Sequence, residues 1–212
     1  MKSKEFRNDP RLLRNEYPLA GPFQMPIIQA AKLPEIQGML SYHDTRMNDK
    51  KAKEVAYLVH FFKNDVHFEF LYEKKNGEKE KKRLLKLAQY AAVCTPDFSL
   101  YPEMALPVQV MQVFKSRWCG AYWQSMGLCV IPTVTWADED SYSFCFDGIT
   151  KHSSVAVSTV GCKKSKPSFL KGYNKMLEVI EPEMVICYGT PFDEMAGNIV
   201  CYPYEAFRKR VS

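Results

Sequence analysis

Four apolar runs in this chain each end in a short cluster of residues able to hold or move a proton. AAVCTPDFS reaches Asp97, with Ser99 and Tyr101 in the same loop. LCVIPTVTWADED ends on Asp138, Glu139 and Asp140, SSVAVSTVG on Ser158 and Thr159, and MVICYGTPFDE on Asp193 and Glu194. Two carboxyl groups about 5–10 Å apart can cleave a glycosidic bond, one as acid and the other as base or nucleophile. The same pair can hold a divalent metal for phosphoester chemistry. Each acid also has a structural use. Asp97 can bond its own backbone two residues on, and Asp138 to Asp140 suit a helix N-cap and first turn. The catalytic candidates are therefore Asp97, Asp138, Asp193 and Glu194, with the reaction unassigned.

Residues able to line a ligand pocket surround these acids. Thr133, Thr135, Ser158 and Thr159 are hydroxyls near strand ends, and Trp136 and Tyr188 close two of the runs. Their alternative is the edge of a core, bonded to backbone. Tyr122 and Gln124 lie in RWCGAYWQS with Arg117 and Trp123, where tight helix packing competes with a ligand role. Lys163, Lys164 and Lys166 follow a strand at the same edge and can hold phosphate, although a solvated loop accounts for them as well. The histidines are His43, His60, His67 and His152, with no HExxH pair. His43 beside Asp44 is the best candidate among them. There is no GxxxxGK[ST], no GxGxxG and no GxSxG, which argues against a P-loop, a Rossmann fingerprint and an α/β-hydrolase elbow.

These clusters share a site only if the elements bring them to one edge. Strands are expected at Met39 to Tyr42, Val55 to Phe62, Val93 to Thr95, Leu128 to Trp136, Ser154 to Val160, Met184 to Tyr188 and Ile199 to Tyr202. Helices are expected at Glu78 to Tyr90, Pro107 to Met126, Pro167 to Ile180 and Tyr204 to Arg210. The segment VHFEFLY reads as strand or helix. About seven strands separated by helices make an α/β fold with a mostly parallel sheet. A TIM-barrel-like or incomplete barrel is the first architecture, and an open doubly wound sheet is the alternative. In either, ligands bind at the carboxyl ends of the strands. Residues 1–24 are read as an arm and 25–212 as one domain.

Composition sets outer limits. The 212 residues are 46% hydrophobic, enough for a sizeable core. With 29 basic and 24 acidic residues the net charge is +5, which permits a nucleic-acid or phosphate partner without requiring one. Seven cysteines, an odd number lacking C-x-x-C spacing, read as reduced thiols in a cytoplasmic protein. They do not have zinc spacing, and no metal set or cofactor is assigned. The N-terminus has no apolar h-region and no run is long enough to span a membrane. Three function classes remain: a protein with a small-molecule or nucleotide-phosphate pocket, a non-enzymatic protein that binds a host protein or nucleic acid, and a structural or scaffolding protein.

The words PDFSLYPEMALPVQ, RWCGAYWQSMGLCVIPTVTW, FCFDGI, VAVSTVG, FLKGYNKMLEVIEP and CYG occur in order over roughly residues 93–189. In them the chain resembles domain-of-unknown-function family 4417, found in bacterial genomes and phages. The resemblance implies a phage, prophage or mobile-element protein. It carries over no catalytic residues.

Overall fold

The computed structural model describes residues 9–14, 16–72 and 77–204. The helix expected at Tyr204 to Arg210 falls almost wholly outside them. A short antiparallel hairpin comes first, β1 (Leu19–Ala20) with β2 (Met25–Pro26). Gly21 turns between them at φ +67, and a Cβ there would lie 1.8 Å from the Asp147 carboxylate. Only glycine meets both demands.

The parallel sheet is built from β3 (Gly38–Ser41), β4 (Tyr57–His60), β5 (Ala92–Cys94) and β6 (Val130–Ile131), paired in that order. A second parallel set follows, β7 (Val155–Ser158), β8 (Val185–Tyr188) and β9 (Ile199–Tyr202). A bridge between Thr133 and Ala156 joins the two sets. Two hydrogen bonds make it: Val134 N to the Ala156 carbonyl, and Ala156 N to the Pro132 carbonyl, both 2.9 Å. The expected strand over Leu128 to Trp136 is thus reduced to Val130–Ile131 plus this bridge. Pro132 has no N–H to give the ladder, which interrupts it.

All seven parallel strands therefore follow one another in chain order, without the reversal that marks a doubly wound sheet. Register places Ser41, His60, Cys94, Thr133, Ser158, Tyr188 and Tyr202 on a single face at or near the carboxyl ends. In a flat sheet β4 and β8 would stand about 19 Å apart, at about 4.8 Å per strand. Yet the His60 and Tyr188 rings meet at 4.2 Å, so the sheet is rolled with this face inward. Ala156, Ile186 and Tyr188 accordingly share a core with Met39, Leu58, Ala92 and Ile131. The Tyr202 hydroxyl donates to the Ile36 carbonyl at 2.9 Å, bringing β9 to the residues that lead into β3. Among the described residues β3 and β9 share no ladder, and closure into a barrel is not shown.

Among the described residues three α-helices cover the outer face. They are α1 (Gly77–Leu87), α2 (Leu106–Ser125) and α3 (Lys166–Ile180). α2 and α3 each start with proline in the first turn, where its missing N–H has no intrahelical partner to lose. α3 buries Phe169, Gly172, Tyr173, Met176 and Ile180 at helical spacing. They pack on Val155, Val157, Val185 and Cys187 in a second core. VHFEFLY forms two 3-10 turns, Asp65–His67 and Glu69–Leu71, because the Asn64 side chain caps the first by accepting from Val66 N.

Candidate functional site

Among the three strand-end clusters that carry acids, Asp97 stands apart by the burial of its carboxyl. It follows Pro96 at the end of β5, keeps some exposed surface, and has its carboxyl packed deep in the protein. Burial, then the negative charge of Asp65, raises its pKa from 3.8 to about 7. Asp97 thus changes protonation near neutral pH, the condition for an efficient general acid or base. Asp65 itself is held by Ser99, whose N–H donates at 3.1 and 3.3 Å and whose Oγ donates at 2.8 Å. Gln112 adds a longer bond at 3.4 Å. Burial lifts the Cys94 and Cys162 thiols, and the charge of Asp97 lifts both further. The carboxyl therefore lies between the ends of β5 and β7.

His60 and Ser41 complete this edge. They are register partners on β4 and β3 and share the inner face. His60 Nδ1 accepts from Phe62 N at 3.2 Å, which places the ring proton on Nε2. Burial, with Lys63 nearby, lowers its pKa to about 3 and keeps the imidazole neutral. Among the described residues the buried Ser41 hydroxyl has no hydrogen-bond partner. Tyr188 packs on His60 and stacks with Phe62 at 5.4 Å. Sequence reasoning missed Asp65 and Ser41 and ranked His60 below His43. Only the alternation along YLVH signals that His60 shares a face with Leu58.

The remaining candidates divide by position. The Ser158 hydroxyl donates to the Tyr188 carbonyl at 3.3 Å and accepts from Val160 N. Thr159 donates to the Thr190 carbonyl at 2.9 Å. Both sit at the same edge as Asp97 but are engaged with backbone. Thr133 donates to the Thr95 carbonyl at 2.7 Å and is buried. Asp138 caps the 3-10 helix Glu139–Ser143, accepting from Ser141 N at 3.4 Å. Glu139 and Asp140 are exposed in its first turn, and Lys171 pairs with Glu139. Asp193 is exposed, while Glu194 pairs with Lys166 at 2.7 Å, a bond that lowers the Glu194 pKa. No described contact joins Asp138, Asp193 or Glu194 to Asp97.

Trp136 lies over Gly172, where a Cβ would come within 2.2 Å of its Nε1. Gln124 receives Gln29 N and donates to the Gln29 carbonyl, clamping the strand-like segment beside α2. Tyr122 stacks on Trp118 at 5.1 Å and sits by Glu80 in a cavity of about 20 Å³ between α1 and α2. Lys163 is exposed, as is Lys164. His43 and His67 meet edge to face at 5.4 Å. Arg117 is fully buried and donates to three carbonyls, those of Asp147, Thr133 and Cys145, at 2.9, 3.1 and 2.7 Å. That is a tie between α2 and two loops.

A groove of about 390 Å³ opens at the opposite edge, by the amino ends of β4 and β5, lined by Gln37, Val55, Gln89 and Tyr90 among others. Its Tyr90 hydroxyl donates to Asp49 and its Gln89 is bonded to Arg46 and Asp49. Burial pushes the Tyr90 hydroxyl of this groove up to about 12, whereas the group that titrates near neutrality, Asp97, lies at the carboxyl edge. Among the described residues no group of three or more His, Cys, Asp or Glu is placed to hold a metal ion. No helix among them is long and apolar enough to cross a membrane.

Comparison with known proteins adds context. The family model described as "Domain of unknown function (DUF4417)" matches residues 17–205. The "Gene 1 protein" of Mycobacterium phage L5 is 39% identical over 155 residues, covering 71% of this chain and 65% of the relative. The "Gene 1 protein" of Mycobacterium phage D29 is 34% identical over 181 residues, covering 84% of this chain and 64% of that one. The chain thus spans just under two thirds of the length of these curated relatives. No solved structure matches it.

Proposed function

The chain belongs to the DUF4417 family, with relatives among mycobacteriophage gene 1 proteins, and on that premise we propose that it is a phage protein carrying a small-molecule site at the carboxyl ends of a rolled, incomplete TIM-barrel-like sheet. The observation that carries this reading is Asp97, a carboxyl poised to exchange a proton near pH 7 at that edge. Asp97 serves as acid or base, with burial and then the Asp65 carboxylate holding its pKa up. The neutral His60 imidazole and the Ser41 hydroxyl, unpartnered among the described residues, supply polar contacts from the inner face. Lys163 and Lys164, exposed after β7, suit the phosphate of a nucleotide.

A thermal-shift screen tests this. The probes are nucleoside mono- and triphosphates, sugar phosphates, inorganic phosphate and Mg²⁺, against the wild type and Asp97→Asn. A ligand at 100 times its Kd adds about 2.7 kcal/mol, or about 5–10 °C for a chain of this size. The reading expects such a shift, changing between pH 6 and 8 in the wild type only. A shift that is the same in Asp97→Asn, or none with any probe, counts against it.

A second reading rests on exposed apolar surface. Tyr101, Leu106, Val108 and Met111 are 55%, 44%, 50% and 48% exposed around the start of α2. Here the protein binds a host protein or nucleic acid and performs no chemistry. Binding to single- or double-stranded DNA that falls steeply with salt supports its nucleic-acid form. Binding that ignores salt removes that form.

A further inference from the structure

Two thiols stand side by side in the last strand pair, away from Asp97. Cys187 on β8 and Cys201 on β9 are register partners in a parallel ladder. Their side chains leave the sheet on the same face, and neighbouring strands lie about 4.7–4.9 Å apart. That spacing is inside the Cα range of disulfides. Cys187 is buried in the core under α3, while Cys201 is exposed. Among the described residues β9 pairs with β8 alone. An edge strand with one neighbour can make the small shift that brings two Cβ atoms to about 3.8 Å. Cys162 is also near Cys187, but its Sγ is directed at the Ser158 and Val160 carbonyls, 3.7 and 3.8 Å away.

We propose that Cys187 and Cys201 form a reactive dithiol that closes to a disulfide on meeting a small-molecule disulfide such as oxidised glutathione. The exposed Cys201 reacts first. Its thiolate attacks one sulfur of the small disulfide, that S–S bond breaks, and the expelled thiolate takes up a proton. Cys187 then attacks the Cys201 sulfur of the mixed disulfide, releases its own proton and expels the second small thiol. The protein loses two electrons and two protons, and the small disulfide becomes two thiols. Burial pushes the Cys187 thiol up to about 11, so it is the slower nucleophile of the two steps and attacks only once the mixed disulfide is held beside it in the ladder. The bond has a route to the carboxyl edge. Cys187 Sγ lies 4.0 Å from Thr159 Oγ1, which in turn donates to the Thr190 carbonyl.

The test uses the full chain incubated with oxidised glutathione, alkylated without reduction and digested after acidic residues. Glu194 lies between the two cysteines, so their peptides stay joined only by a disulfide. The expected result is a linked Cys187–Cys201 peptide pair, lost on reduction. It disappears in Cys201→Ser, which changes an exposed side chain, and persists in Cys162→Ser. A Cys201 that stops at the glutathione adduct, a Cys162–Cys187 link, or thiols that remain unreacted overturns the proposal.

Discussion

Replacing Asp97 with asparagine removes a titration while keeping the side-chain shape. In the folded chain the Asp97 pKa is about 7, against an ordinary 3.8. Between those values the folded protein holds a proton that the unfolded chain has released. The group's contribution to stability is full below the unfolded value, declines as pH rises, and is gone once pH passes the folded value. A gap of about three pH units is worth at most about 4 kcal/mol, at about 1.36 kcal/mol per unit. Asp97 keeps some exposed surface, so solvent screening brings the expectation down to about 2–3 kcal/mol, most of it lost between pH 5 and pH 8. Urea unfolding at those two pH values measures it. With a slope of about 2 kcal/mol per molar, the wild-type midpoint should fall by about 1 M more than that of Asp97→Asn. At pH 8 the variant should be the more stable protein. Identical pH profiles for the two would refute a proton on Asp97 near neutrality, and with it the acid–base role.

Three further outcomes follow from packing and burial. Gly172→Ala drives a methyl into the Trp136 ring, and should cost about 1–3 kcal/mol, read from the urea midpoint. Arg117→Met strips the donors from three carbonyls. Partly offset by removing a buried charge, this should cost about 3–5 kcal/mol, and a loss under about 1 kcal/mol would show that water replaces the guanidinium. The His60 ring proton signals should not move in an NMR titration from pH 8 to pH 5, since burial holds the imidazole pKa at about 3. A midpoint near 6.5 would show that the ring is solvated.

The parallel strands could be read from the sequence because each is apolar on both faces, as the runs around Val93, Val157 and Ile186 show. The junction between the two sets could not. It depends on Pro132 interrupting one apolar run, and nothing in that run says where pairing resumes. The acids at the strand ends were visible as a class, but not which of them differs from a cap. That distinction for Asp97 comes first from the burial of its carboxyl, and then from Asp65, placed by a different loop after β4. Asp138 carries the same residue type at an equivalent strand end and caps a helix. His60 was obscured because a histidine inside an aromatic strand has no local mark of function. Its role depends on Tyr188, which arrives from the other end of the rolled sheet.

Strand order in this sheet is also an order in time. A ribosome delivers β3 first, and each later strand is paired beside the one made just before it. Every new strand therefore meets an edge already in place, with no long wait for a distant partner. The last step is the meeting of first and last, where Tyr202 reaches Ile36. Until β9 emerges, the inner face carrying Ser41 and His60 has nothing beyond β8 to shelter it. The chemistry proposed for that face thus becomes available only when synthesis of the sheet is complete.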